Sequence, residues 1–185
     1  MDGGKLDPLI QGLTFENKTE RAVLWRIALG STAVHFPKGR TLGNLERHLR
    51  RIDIPSAELK GALTWLSQQG LIAKSSRGRY VSAIPMSQIY LIPLDPSVYG
   101  WRVSIQTGAS PDPITLQELT QEEAQDEANR IVQEGVVKFL DYRGFDPVRG
   151  KSYQMTAVKV LRMNMDQLVD GRWQTVRTWP GNTLV

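Results

Sequence analysis

Residues 56–82 read SAELKGALTWLSQQGLIAKSSRGRYVS. Leu59, Ala62, Leu63 and Leu66 recur every three or four residues, which predicts a helix with one buried stripe. Ser56 is the expected N-cap, and Glu58 falls in the positive first turn. Gly70 suits the left-handed residue that closes a helix. Two short β-prone runs follow, Leu71–Lys74 and Arg79–Ser82. Ser75-Ser76-Arg77-Gly78 lies between them, so the pair reads as a hairpin.

Working outward, 17–55 supplies two more helices. The first is expected over Lys18–Leu29, opened by Asn17 or Thr19 and ended by Gly30. Its stripe is Val23, Leu24, Ile27 and Ala28. A loop from Ser31 to Arg40 follows, with a short strand at Thr32–Phe36 and a break at Pro37-Lys38-Gly39. The second helix is expected over Leu42–Arg50, capped by Thr41, with Leu42, Leu45 and Leu49 facing inward. Residues 1–16 read as a leader arm with Leu6, Leu9, Ile10 and Leu13 as its apolar members.

The order helix, helix, turn, helix, hairpin, carried by Leu63, Leu66, Gly70, Leu71, Ile72, Gly78 and Tyr80, resembles the winged helix-turn-helix family. The resemblance covers about residues 17–83. It implies a domain over 17–85 whose third helix enters the major groove of double-stranded DNA while the hairpin wing contacts the backbone or the minor groove. By position, Ser56, Glu58, Lys60 and Thr64 would face base edges. Lys74, Arg77 and Arg79 would serve the wing, and Arg47, Arg50 and Arg51 would add phosphate contacts. This helix face is short of Arg, Asn and Gln, so it favours positioning over base reading.

Charge points the same way. Residues 1–85 hold 13 Lys/Arg against 7 Asp/Glu, and residues 86–185 hold 10 against 12. A basic half is the electrostatic footprint of a phosphate-binding surface, although a solvated basic surface without a partner has the same composition.

Residues 86–185 resemble no family and read as a small β-β-α-β-β domain, so the whole chain is expected to be α+β. Strands are expected at Gln88–Leu94 and Tyr99–Gln106, the second from the alternation of Trp101, Val103 and Ile105. Thr107–Pro113 reads as a loop. A helix from Thr115 or Thr120 to about Leu140 follows, since Thr115/Glu118 and Thr120/Glu123 both fit a capping box. Ala124, Ala128, Ile131, Gly135, Val136 and Phe139 make its inner stripe. Asp141–Lys151 reads as loop and Tyr153–Met163 as strand. The strand partner is either Arg172–Thr178 or Met165–Val169, paired across Asp170-Gly171. Trp65 sits at the edge of its leucine stripe and either covers the core or meets another domain or subunit. The second domain is the candidate for homodimerisation, effector sensing or a protein partner.

Other chemistry finds little footing. The 185 residues include no cysteine and two histidines, His35 and His48. That excludes disulfides and thiolate metal sites and leaves no ligand cluster, so neither metal nor cofactor is expected. His48 reads as a surface residue or a phosphate contact. Gly150-Lys151-Ser152 imitates the end of a phosphate-binding loop, but position 145 is Phe where that motif needs Gly. Glu122, Glu123, Asp126 and Glu127 fit the solvated face of a helix better than a catalytic pair. No catalytic residue is expected, and the chain does not read as an enzyme. No apolar run approaches membrane length, and MDGGKLDPL lacks the basic and apolar regions of a secretory signal. The expected location is the cytoplasm, at the nucleoid if DNA is bound. Three roles fit: a transcriptional regulator, a replication, phage or plasmid accessory protein, or a docking subunit of a larger nucleic-acid complex.

Overall fold

A computed structural model describes residues 6–32, 39–146 and 150–181, with 140–146 and 150–153 by backbone alone. The chain is α+β and divides into two compact units, Met1–Asp95 and Pro96–Val185.

The first unit begins with a single 3₁₀ turn at Pro8–Ile10. Helices α1 (Lys18–Ser31), α2 (Leu42–Arg51) and α3 (Ser56–Gln68) follow, then strands β1 (Ile72–Lys74) and β2 (Tyr80–Ser82) and a short helix α4 (Met86–Ile89). Helix α1 opens with a full capping box. The Asn17 side chain accepts from the Glu20 N–H, and the Glu20 carboxylate accepts from the N–H groups of Asn17 and Glu16. The apolar stripes converge as periodicity demands. Val23, Leu24 and Ile27 of α1, Leu45 and Leu49 of α2, and Leu59 and Leu66 of α3 are buried. Each such side chain contributes about 1.5–3 kcal/mol through removal from water.

Several expectations change. Pro55, not Ser56, is the N-cap of α3, and it makes no side-chain cap bond. Leu42 stands at the first turn of α2 and is exposed, because the interior of that helix is already filled by Leu45 and Leu49. Gly30 does not end α1. It lies inside the helix, where a Cβ would come within 2.5 Å of Arg40 Nε. The loop strand expected at Thr32–Phe36 and the break at Pro37-Lys38-Gly39 lie largely outside the described residues, as does His35. Leu6 and Leu9 of the expected arm are exposed, and only Ile10 of that group is buried.

The strand expected at Gln88–Leu94 does not form. Pro85 caps α4 instead, and Ile89, Ile92 and Leu94 turn back into the first unit. Phe15, fully buried, bridges Leu94: the Phe15 N–H donates to the Pro93 carbonyl at 2.7 Å, and the Asp95 N–H donates to the Phe15 carbonyl at 2.8 Å. The unit therefore closes at Asp95 rather than at Pro85. Trp65 covers the core, with its ring centroid 6.0 Å from that of Phe15.

The second unit runs α5 (Pro96–Tyr99), β3 (Trp101–Thr107), β4 (Ser110–Leu119), α6 (Gln121–Glu134), β5 (Val136–Asp146), β6 (Gly150–Val169) and β7 (Arg172–Pro180). The sheet order is β4-β3-β6-β5, with β7 also paired to β6, all antiparallel. It is a β-β-α-β-β-β unit, one strand more than expected. Residues 110–119 fold as strand, not as loop and helix, because Ile114, Leu116 and Leu119 line up with Ile105, Val103 and Trp101. Of the two capping boxes only Thr120/Glu123 forms. Gly135 ends α6 with φ +65°, so Val136 and Phe139 belong to β5 and not to the helix stripe. The Asp170-Gly171 turn joins β6 and β7 directly, pairing Val169 with Arg172.

Trp101, Val103 and Ile105 of β3 pack with Ala124, Ala128 and Ile131 of α6 and with Met163 and Met165 of β6. On the opposite face Asp166 is buried and accepts from Arg102 Nε, Ser104 Oγ and Thr175 Oγ1 at 2.8, 3.2 and 2.8 Å. Gly150, Lys151 and Ser152 are inside β6, so no helix N-terminus follows them. Among the described residues no helix is long and apolar enough to cross a membrane.

Candidate nucleic-acid interface

The β1–β2 hairpin is tight. The Gly78 N–H donates to the Ser75 carbonyl at 2.9 Å, and the Ser75 N–H donates to the Arg79 carbonyl at 2.7 Å. Gly78 has φ +69°, a conformation that costs glycine little. This turn leaves Arg77 exposed at its tip. Lys74 and Tyr80 face each other across the strands, with the ammonium 5.8 Å from the ring centroid. Arg40 adds a third line of backbone to the hairpin: its N–H and carbonyl exchange hydrogen bonds with Tyr80, both at 2.8 Å.

That backbone pairing carries the Arg40 side chain across Gly30 of α1, and its Nε lies 3.4 Å from the Arg26 carbonyl. Burial first, then repulsion from Arg26 and Arg79, holds the Arg40 pKa below its usual range. His48 of α2 is affected alike: burial, then Arg26, Arg51 and Arg40, push its pKa down. Arg26, Arg40, Arg51 and Arg79 therefore form one basic cluster gathered around α1, α2 and the β1–β2 hairpin, with the His48 imidazole beside it. Among the described residues no ion pair neutralises it, and Arg26 Nε is buried without a hydrogen-bond partner.

The expected site residues divide around this cluster. Arg51 and Arg79 belong to it. Arg47 and Arg50 are exposed on α2, and Lys60 and Ser56 are exposed on α3. Glu58 is engaged elsewhere, since its carboxylate accepts from the Thr19 hydroxyl and ties α3 to α1. The Thr64 hydroxyl is turned back onto the Lys60 carbonyl at 2.9 Å. Two of the four expected groove-facing side chains of α3 thus have partners inside the protein.

Arg26 and Arg40 were not foreseen. Arg26 sits beside the α1 stripe and looks like any surface arginine, and Arg40 looks like the end of a loop. The available signal was Gly30, a mid-helix glycine that costs roughly 0.5–1 kcal/mol relative to alanine and so calls for a packing reason.

The acids of the second unit remain on the outside of α6. Glu127 pairs with Arg130, and Glu134 with Arg130 and Lys138. Among the described residues no group of three His, Asp or Glu converges as a metal site would require. No family model, curated protein or solved structure matches the chain.

Proposed function

We propose that the first unit is a winged-helix module that binds double-stranded DNA, and that the chain is a transcriptional regulator. The observation that carries this reading is the cluster of Arg26, Arg40, Arg51 and Arg79, which no ion pair among the described residues neutralises. Like charges brought together at a cost in burial are compensated when a polyanion supplies phosphates and releases its counterions. The exposed Arg77 extends the same surface to the wing tip, and Arg47, Arg50, Lys60 and Lys74 flank it. The inward engagement of Glu58 and Thr64 supports positioning on the backbone over extensive reading of bases. The second unit serves oligomerisation, effector sensing or a protein partner, and the protein works in the cytoplasm at the nucleoid.

The test is titration of a duplex with the full chain at several salt concentrations. Replacing Arg77 and Arg79 by Ala should weaken binding at low salt and reduce the log–log salt slope by about 1.8, at roughly 0.9 per lost phosphate contact. Unchanged affinity with an unchanged slope removes the wing from the interface.

A further inference from the structure

On the face of its sheet turned away from α6, the second unit carries a polar hollow of about 450 Å3. Arg102 and Ser104 of β3, Arg162, Asn164 and Asp166 of β6 and Thr175 of β7 line it. Asp166 is the one carboxylate among the described residues of this lining, and both its oxygens are in use. Oδ2 accepts from Arg102 Nε and Ser104 Oγ, and Oδ1 accepts from Thr175 Oγ1. The unused capacity is all on the donor side. Among the described residues no group of the chain accepts from the terminal Nη atoms of Arg102, and none pairs with the Arg162 guanidinium. Asn164 Oδ1 accepts from Thr178 Oγ1 at 3.0 Å, and the Asn164 NH2 group has no acceptor within the chain. Asp166 offsets one of the two guanidinium charges, so the hollow keeps a net positive charge.

The two arginines stand at opposite ends. Arg102 faces Asp166 across the strands and Arg162 faces Gln106, so their backbones are about 13 Å apart along the sheet. Arg102 is also fixed, by Asp166 at Nε and by the Trp173 ring, whose centroid lies 4.3 Å from the guanidinium carbon. A donor fork held in place costs a ligand little ordering entropy. We propose that the hollow binds a small hydroxylated molecule carrying two oxyanion groups, carboxylate or phosphate. One oxyanion meets each arginine, and the hydroxyls between them meet Ser104, Asn164 and Thr175. This goes beyond the roles given above to the second unit, because it names a ligand class and does not depend on DNA binding by the first.

The test is calorimetric titration of the full-length protein without DNA. Glucarate and fructose bisphosphate separate the carboxylate and phosphate forms of the ligand, and gluconate and fructose monophosphate are their single-acid counterparts. Saturable binding of at least one two-acid compound is expected, with Kd below about 1 mM and at least about 10-fold tighter than that of its counterpart. Arg162→Ala removes an exposed side chain and should weaken binding by about 10-fold or more. Arg102→Lys keeps a charge beside Asp166 but loses the fork, and should weaken it by about 5-fold or more. The Arg77/Arg79 double alanine variant should bind as the parent does. Unchanged thermal melts establish that the variants are folded. Absence of saturation by either two-acid compound up to about 10 mM, equal binding of the single-acid compounds, or indifference to Arg162→Ala overturns the proposal. Binding lost in the Arg77/Arg79 variant would place the anion on the first unit and also overturn it.

Discussion

The two units build their cores by opposite routes. The first closes on helices whose stripes are set by residues three and four apart, so most of its organisation is local. The second is a sheet in which Trp101 pairs with Gln167 and Val103 with Met165, partners far apart in the chain. The difference teaches where positive charge can be gathered cheaply. Helices α1 and α2 and the hairpin are separate short elements, each free to contribute an arginine. In the second unit Asp166, the one buried carboxylate among the described residues, already has Arg102, Ser104 and Thr175 around it. Among the described residues, the Arg26, Arg40, Arg51 and Arg79 cluster of the first unit has no ion pair, whereas Asp166 of the second has Arg102 beside it.

The largest effect that probes this contrast comes from the cores. Leu66→Ala in the first unit and Ile105→Ala in the second should each cost about 2–5 kcal/mol, since both side chains are fully buried. Hydrogen exchange should show protection lost in the mutated unit alone. Loss across both units from either change would show that the division at Asp95 is not an energetic one. Next in size, Asp166→Ala should cost about 2–3 kcal/mol in denaturant unfolding, because three donors lose their acceptor. A near-neutral result would mean that Arg102, stacked 4.3 Å from the Trp173 ring centroid, is satisfied without it. The smallest effect is the most closely matched. Asn17 and Thr120 head the capping boxes of α1 and α6, and replacing either by Ala should cost about 1 kcal/mol. Unequal costs would show that one helix depends more on its cap and the other on packing.

The same contrast explains what was legible in the chain. The three helices and the β1–β2 hairpin could be read from Val23, Leu45, Leu59 and the Ser75–Gly78 turn, because their signals are periodic and close in sequence. The second unit misled at points where a distant partner decides. Ile114 and Leu116 become strand only because Ile105 and Val103 need a neighbour, and Thr115/Glu118 imitates a capping box that the sheet overrides. Gly135 could have divided the overlong helix, since a glycine after a polar turn is the usual stop. Of the expected site residues, Arg47, Arg50, Arg51 and Arg77 stand exposed on α2 and at the hairpin tip, as their type and position suggested. Arg26 and Arg40 were not legible, because their approach depends on Arg40 pairing with Tyr80 and on the space above Gly30. The engagement of Glu58 by Thr19 is likewise a contact between helices that no local pattern records.

Strand β6 has one more consequence. It spans Gly150–Val169 and pairs with β3, β5 and β7, so the sheet of the second unit has no centre until residue 169 has been synthesised. The first unit is complete by Asp95. On a ribosome adding about 5–20 residues per second, the interval between the two lasts roughly four to fifteen seconds. During that time the basic half is already whole on the nascent chain, while β3 and β4 wait as an unfinished hairpin.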